Sequence, residues 1–168
     1  MLSFGDELSG YDLLKGIQGS VAYFWSPAKS HVYAELRRLL RLGWATERAV
    51  EQDARPDKRV YRITHRGRTA LRAWLADPGV EPDTYRSPLL LKLFFGAEAD
   101  RETLVTRVKD YREAARAQLA EFRAIERRIA GDRDALFPSL TLRAGLAHTR
   151  AAERWADDVL RTLEEESR

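Results

Sequence analysis

The stretch that decides the fold is residues 26–63, SPAKSHVYAELRRLLRLGWATERAVEQDARPDKRVYRI. Residues 27–42 have the composition of a basic amphipathic helix, which Gly43 ends. Residues 44–47 and 59–63 are predicted strands, and the polar residues 52–57 form the tip between them. A short basic helix followed by a basic hairpin is the order of parts in a winged helix-turn-helix domain.

An apolar stripe along the predicted helix indicates which of its sides is buried. The stripe consists of Val32, Leu36, Leu39 and Leu40, with steps of four, three and one. Ser26 is the expected N-cap, and Pro27 stands in the first turn, where its missing N–H is harmless. Polar and basic residues off the stripe are the predicted readers of base edges and phosphates. They are Lys29, Ser30, His31, Tyr33 and Arg37.

Charge is concentrated around this stretch. Residues 26–75 hold 12 basic and 5 acidic side chains, although the whole chain carries a net charge of only +3. Such a local field attracts a phosphate backbone. A solvated basic surface without a partner is the alternative. At the predicted wing, Arg55, Lys58 and Arg59 are expected to contact the DNA backbone, although Asp53 and Asp57 lower the charge there.

Capping residues predict two more helices in the first half. Ser9 is the expected cap of a helix that ends weakly near Gly16 and Gly19. Thr64 is the expected cap of a helix that follows the hairpin. The buried side of that helix is predicted to carry Leu71, Trp74 and Leu75.

Two prolines and a glycine within residues 77–82 predict a domain boundary. The fold class is therefore mainly α with a small β-hairpin: a winged helix-turn-helix domain at residues 1–78 and a helical dimerisation domain at residues 83–168. In the second domain, residues 89–95 form a helix whose all-round apolarity implies burial. A long helix is expected over residues 101–130, and a last helix after Pro138.

The two long helices are predicted to pair with a second copy of the chain. Two amphipathic helices joined by one turn are expected to leave apolar surface uncovered. The alternative is that they pack on the first half of their own chain. The last helix is predicted to present Leu140, Ala144, Ala147, Ala151, Trp155, Val159 and Leu163 on one face. The predicted dimer contacts are Leu104, Val108, Tyr111, Leu119, Phe122, Ala147, Ala151 and Trp155.

Several classes of function find no support in the sequence. There is no cysteine, and the three histidines stand at positions 31, 65 and 148, too far apart to place two metal ligands on one helical face. No hydrolase, P-loop or dinucleotide motif is found. The longest apolar stretch, residues 89–95, contains Lys92 and is too short to span a bilayer. We therefore expect a cytoplasmic protein without metal, cofactor or catalytic residues.

Five segments, in this order, resemble the PadR family of transcriptional regulators. They are Ser9-Gly10-Tyr11-Asp12-Leu13, Tyr23-Phe24-Trp25, Ser30-His31-Val32-Tyr33-Ala34-Glu35-Leu36, Arg59-Val60-Tyr61-Arg62-Ile63-Thr64 with Gly67 and Trp74-Leu75, and Leu89-Leu90-Leu91-Lys92-Leu93-Phe94-Phe95. The second and fifth are most similar to the branch with a virulence-activator-type C-terminal domain. The resemblance implies a homodimeric regulator of double-stranded DNA, usually a repressor and sometimes an activator. Family members carry a longer first helix, so either this helix is shortened or the true start lies upstream.

The resemblance also implies a response to small aromatic molecules, for which tryptophans supply stacking surfaces. The candidates are Trp25, Trp74, Trp155 and Tyr85, each of which is equally explained as structural. Two rival functions remain open at this point. One is a winged-helix module that binds another protein, and the other is a small-molecule sensor whose DNA role is secondary.

Overall fold

The computed structural model describes residues 1–5, 7–51, 58–79 and 85–165. The chain divides into two compact units, Met1–Glu81 and Pro82–Arg168, which are called here the N-terminal unit and the helical unit. The predicted wing tip at residues 52–57, with Arg55, lies outside the described residues.

The described part of the N-terminal unit contains three α-helices, one short 3-10 helix (Val21–Tyr23) and a small antiparallel sheet. Its helices and strands are β1 (Leu8–Ser9), α1 (Gly10–Gln18), α2 (Lys29–Arg41), β2 (Ala45–Val50), β3 (Lys58–Ile63) and α3 (His65–Ala76). The sheet order is β1-β3-β2, so Tyr61 of β3 pairs with Leu8 on one side and with Glu47 on the other. The predicted winged helix-turn-helix is therefore confirmed. The two-residue strand β1 was not predicted, because two residues carry no readable alternation.

Two of the predicted helix caps are present. The Ser9 hydroxyl accepts from the Asp12 N–H at 3.1 Å, and the Asp12 carboxylate accepts from the Ser9 N–H at 3.0 Å, which makes a capping box. The Thr64 hydroxyl accepts from the Gly67 N–H at 3.0 Å. The prediction for α2 was wrong at its start. Ala28 is extended, with ψ of 148°, so the helix begins at Lys29 and the Ser26 hydroxyl is too early to cap it.

The core of the N-terminal unit joins α1 and α2 to the sheet. It is formed by Leu2, Leu13, Leu36, Ala45 and Tyr61. Helix α3 is held mainly by its first turn, where Gly67 is buried and an added Cβ would overlap the Trp44 carbonyl oxygen. The prediction that Trp74 and Leu75 are buried was wrong. They are 70% and 66% exposed because the last turn of α3 extends beyond this contact.

The helical unit is built around two long helices. Its elements are α4 (Pro88–Phe94), α5 (Arg101–Ile129) and α6 (Leu136–Glu165). One core cluster joins Val108 to Ala156 and Leu160, with Leu89 and Leu93 of α4 packed against it. Another joins Leu119 and Phe122 to Leu146. Gly145 permits this second contact, since a Cβ there would lie 2.9 Å from the Phe122 ring.

The helical unit buries its apolar seam within the chain, which corrects the argument that the seam needs a second copy. Leu104, Val108, Leu119 and Phe122 are buried in this unit, three of them in the clusters with α6. Tyr111 and Trp155 are half-buried against each other in an edge-to-face contact, with ring centroids 5.6 Å apart. Neither a second copy nor the N-terminal unit is needed to cover these residues.

The predicted face of α6 is the one turned away from α5 along much of its length. Leu140, Ala144, Ala147 and Ala151 are exposed, and the buried positions are Leu146, Thr149, Ala156 and Leu160. The prediction was misled by the alanines of this face, because small residues in a sequence are typical of a surface against which another helix packs closely. The expected burial of α4 was also wrong, because only one side of this short helix meets the pair. Leu91, Phe94 and Phe95 are 63%, 81% and 60% exposed.

Candidate nucleic-acid interface

Helix α2 presents a polar face to solvent. Val32 and Leu36 are buried, and the opposite side carries Ser30, Ala34, Arg37 and Arg41 at steps of four, three and four residues. All four are exposed. Short side chains near the start of this face and cations toward its end suit a helix that lies in a groove.

The cations of this face, Arg37 and Arg41, are not neutralised by neighbouring carboxylates. They and Lys29, which lies about 100° around the helix from Ser30, form no ion pair with any residue that the structure describes. Arg38 lies to one side and is paired with Glu35 at 3.1 Å. Two cations on the exposed face and one at the helix start, without local partners, are available to phosphates. Arg41 was not among the predicted residues, although its position four residues after Arg37 was the signal.

Predicted residues His31 and Tyr33 lie on opposite flanks of this face. His31 is exposed and, with Glu35, borders an apolar cavity on one side of α2. Tyr33 is half-buried on the other side and packs against Gly10 at the start of α1, where an added Cβ would lie 2.6 Å from the ring atom Cε1. Gly10 therefore fixes the position of the Tyr33 ring. The five predicted residues of α2 do not form one surface.

Three cations of the sheet, in contrast to Arg37 and Arg41 of α2, are paired with carboxylates. Lys58 Nζ lies 3.1 Å from Asp12 Oδ2, and Arg59 lies 3.1 Å from Glu47. The Glu47–Arg59 pair is diagonal across the strands, since Glu47 pairs directly with Tyr61. Arg48 of β2, which was not predicted, is held by Glu7 at 2.6 Å. Contact of Lys58 or Arg59 with DNA would require a phosphate to compete with these carboxylates.

The pKa shifts of Asp12 and Glu7 reflect these ion pairs. Hydrogen bonds from Ser9, followed by the nearby Lys58 ammonium, lower the pKa of Asp12 to about 2. The Arg48 guanidinium lowers the pKa of Glu7, mainly by hydrogen bonding. Burial, aided by the Glu47 carboxylate, raises the pKa of Tyr61. Both carboxylates are therefore ionised at neutral pH and keep their cations close.

An apolar cavity of about 690 Å³ lies beneath α2. Its walls include Leu13, Leu36, Trp25, Trp44 and Leu71, all of them in the N-terminal unit. Among the predicted aromatic candidates, only Trp25 borders it, and Trp25 is itself 72% exposed. Trp74 and Tyr85, which are 70% and 76% exposed, do not line the cavity, and Trp155 packs on Tyr111.

Two further kinds of site are absent from the described ranges. No group of three or more histidine or acidic side chains there is placed to hold a metal ion. No helix within those ranges is long and apolar enough to cross a membrane.

Comparison with known proteins gives matches along nearly the whole chain. The model of the Transcriptional regulator PadR-like family matches residues 2–73, and that of the Virulence activator alpha C-term matches residues 85–164. The Probable transcriptional regulator Rv1176c of Mycobacterium tuberculosis is 31% identical over 171 residues, which cover 94% of this chain and 90% of that protein.

A second relative has solved structures. The Negative transcriptional regulator PadR of Bacillus subtilis is 28% identical, over 95% of this chain and 92% of that protein. Its crystal structure in complex with operator DNA has a TM-score of 0.83 and 25% identity, covering 96% of this chain and 95% of the other. Its structure in complex with p-coumaric acid has a TM-score of 0.72 and 23% identity, covering 94% and 88%. With both of its units matched in this way, the chain belongs to the PadR-like family of transcriptional regulators, which bind DNA and are not enzymes.

Proposed function

We propose that the protein is a repressor that binds a pseudo-palindromic operator as a homodimer in the cytoplasm. The observation that carries the proposal is the exposed face of α2, on which Ser30 and Ala34 adjoin cations that have no carboxylate partner among the described residues. The relative crystallised with operator DNA and named a negative regulator supports both the DNA target and the sign of regulation.

Residues of this face divide into two expected roles. Ser30 is short enough to let the start of α2 approach base edges, whereas Arg37 and Arg41 on the face and Lys29 beside it are cations suited to phosphates. Changing Ser30 should therefore alter sequence preference. Removal of a cation should weaken binding to all sequences alike.

Exposed apolar surface on the helical unit supports the homodimer. The outer face of α6 begins with Leu136, Phe137 and Leu140, which are 58%, 75% and 49% exposed, and continues with Ala144, Ala147 and Ala151. A continuous apolar strip of this kind is unusual on a monomer and suits the isologous contact of a twofold dimer. A dimer in turn requires two operator half-sites about one turn of B-DNA, roughly 34 Å, apart.

The cavity beneath α2 supports a response to a small aromatic effector. Its volume of about 690 Å³ and its tryptophan-containing wall are of the kind that binds a small apolar ligand. Because Val32 and Leu36 of α2 border it, a bound molecule would act on the same helix that faces DNA. The B. subtilis relative in complex with p-coumaric acid suggests a phenolic acid as the first probe.

The test of the DNA role is selection from fragmented genomic DNA on the immobilised full chain, followed by affinity measurements on the recovered fragments. We expect an inverted repeat, a complex that contains two chains, and affinity that falls steeply with salt. Absence of salt-dependent binding to any duplex would instead favour a module that binds another protein. Reporter expression that rises with the protein would contradict repression.

The effector role has its own readout. Titration with p-coumaric acid should quench tryptophan emission and release the recovered operator. A Trp25→Leu variant should lose much of the quenching, whereas Trp74→Leu, on exposed α3, is the matched control. Operator release without a Trp25-dependent change would place the ligand elsewhere.

A further inference from the structure

A second, polar pocket of about 470 Å³ lies at the edge of the α2 surface. It is bordered by the start of α1, by α2 and by β3, and three tyrosines line it. They are Tyr11, Tyr33 and Tyr61, which are joined by Gly10, Lys58 and Arg59. We call it the tyrosine pocket.

Two of the three phenol groups have hydroxyls that the protein does not use. Tyr61 is buried, and the nearby Glu47 carboxylate contributes to the raised pKa of its hydroxyl. The hydroxyls of Tyr11 and Tyr33 form no hydrogen bond with any residue in the described parts of the chain. Each is therefore free to donate to a ligand.

The Tyr33 ring is held in place by its surroundings. It is half-buried, it packs on the core of the unit, and its edge lies against Gly10. Tyr11, in the first turn of α1, is 70% exposed. A fixed donor beside a reachable one loses little conformational freedom when it binds an acceptor.

The charge of the pocket selects the kind of acceptor. Lys58 and Arg59 bring positive charge, but Asp12 and Glu47 lie within 3.1 Å of them and balance much of it. A free dianionic phosphate would be repelled by the Asp12 carboxylate. A phosphodiester carries a single negative charge and can take hydrogen bonds from neutral hydroxyls as well as from a cation.

We propose that the tyrosine pocket binds one phosphodiester group of the duplex backbone, with the Tyr11 and Tyr33 hydroxyls as donors and Lys58 as the cation. The inference rests on the proposed DNA role and assigns to that role a contact outside the basic face of α2. Because Tyr33 belongs to α2 and Tyr11 to α1, the contact fixes how α2 sits relative to the backbone. It carries no sequence information of its own.

The test uses full-length Tyr11→Phe, Tyr33→Phe and the double variant, with fluorescence anisotropy on a labelled duplex of mixed sequence. Each single change removes one hydroxyl and keeps the ring, and should weaken binding roughly two- to tenfold. The slope of log affinity against log salt should stay unchanged because the hydroxyls are neutral. Tyr85→Phe, which removes an exposed hydroxyl in the helical unit, is the matched control and should bind as the unaltered chain does.

Arg37→Ala separates failure of this inference from failure of the DNA role. If Arg37→Ala weakens binding while the tyrosine variants bind normally, the pocket contact is wrong and the DNA role stands. If the unaltered chain binds no duplex, both fall. If inorganic phosphate, compared with chloride at equal ionic strength, displaces the duplex from the unaltered chain but not from the double variant, the pocket holds phosphate anions. Equal effects of phosphate and chloride, with weakened tyrosine variants, support the backbone contact.

Discussion

Helix α2 and the α5–α6 pair are both rich in arginine but use it differently. On α2, Arg37 and Arg41 reach solvent without a carboxylate partner among the described residues. In the helical unit, Arg112 is bound to Asp157 at 3.1 Å and Arg116 to Glu153 at 2.9 Å. Unpaired cations are available to a partner of opposite charge, whereas paired cations hold two helices of one chain together.

The exposed faces of α2 and α6 differ in apolar content as well. The outer face of α6 leaves Phe137 and Leu140 exposed, while the buried stripe of α2 is covered by its own unit. The exposed face of α2 therefore presents charge, and the outer face of α6 presents apolar surface. The difference indicates nucleic acid as the partner of the first and another polypeptide, in our proposal a second copy, as the partner of the other.

The largest effect should come from placing charge on the apolar face of α6. The double variant Ala147→Glu/Ala151→Glu would bury unpaired carboxylates in the proposed dimer, which should cost about 5 kcal/mol of association. Light scattering should show monomers with unchanged helicity. Ala73→Glu, an exposed alanine of α3, is the control. A double variant that remains dimeric would exclude this face as the contact.

Next in size is a change confined to the N-terminal unit. Gly67→Ala forces a Cβ onto the Trp44 carbonyl oxygen and should lower the free energy of unfolding of this unit by roughly 3 kcal/mol. Hydrogen exchange should report lost protection in β2, β3 and α3 and none in α5 and α6.

Gly19→Ala is the matched control, because a Cβ there would only touch the Lys15 carbonyl oxygen at 3.5 Å. Equal loss of protection in both units would mean that they unfold together. The comparison between two separate regions would then apply to their surfaces and not to their stability.

A pair of arginine variants tests the central difference directly. Arg37→Ala should weaken duplex binding roughly tenfold at about 0.1 M salt and reduce the salt slope by about one, with little change in the unfolding midpoint. Arg112→Ala should do the reverse, costing about 1 kcal/mol of stability with no effect on DNA affinity. The two measurements are urea unfolding and anisotropy. An Arg112 variant with a reduced salt slope would break the distinction.

The smallest effect is expected from Asp12. Its pKa of about 2 in the folded chain lies below the value of about 3.9 expected when unfolded, so its ionised form stabilises the fold above about pH 4. That contribution is lost as the pH falls toward 2. Because the Asp12 side chain is 38% exposed and solvent screens its charge, Asp12→Asn should cost only about 0.5 to 1 kcal/mol at pH 7 and roughly half as much at pH 3. A cost that is independent of pH would show that hydrogen bonding alone, without the charge, is responsible.

Much of this architecture could be predicted from short-range signals. Ser9 and Thr64 act through residues only three positions away, and the apolar spacing along α5 gave its extent closely. The start of α2 was misjudged because Ser26 and Pro27 are equally compatible with an extended segment. The partner of the α5 seam was misjudged because periodicity shows that a face is buried but not what covers it.

The candidate site was less predictable for a related reason. Helix spacing identified Arg37, but nothing in the sequence shows that Lys58 is paired with Asp12, 46 positions away, or that Tyr33 lies against Gly10. Such contacts depend on how β3 and α2 meet α1. For the same reason, the ion pair of Arg48 with Glu7 and the tyrosine pocket could not be predicted from the sequence.

The ion pairs Arg112–Asp157 and Arg116–Glu153 also constrain which substitutions the helical unit tolerates. Arg116 lies four residues after Arg112, and its partner Glu153 lies four residues before Asp157. Both ion pairs therefore fit the same antiparallel alignment of α5 and α6. A substitution in either ion pair removes that contact between the helices, although Arg116 also lies 3.0 Å from Glu113 and 3.8 Å from Asp157. A shift by one turn would keep only one of the two pairs of opposite charge. We therefore expect these positions to covary across descendants of this chain, each arginine changing together with its own acid. Insertions should be tolerated in the turn between the helices and not within them.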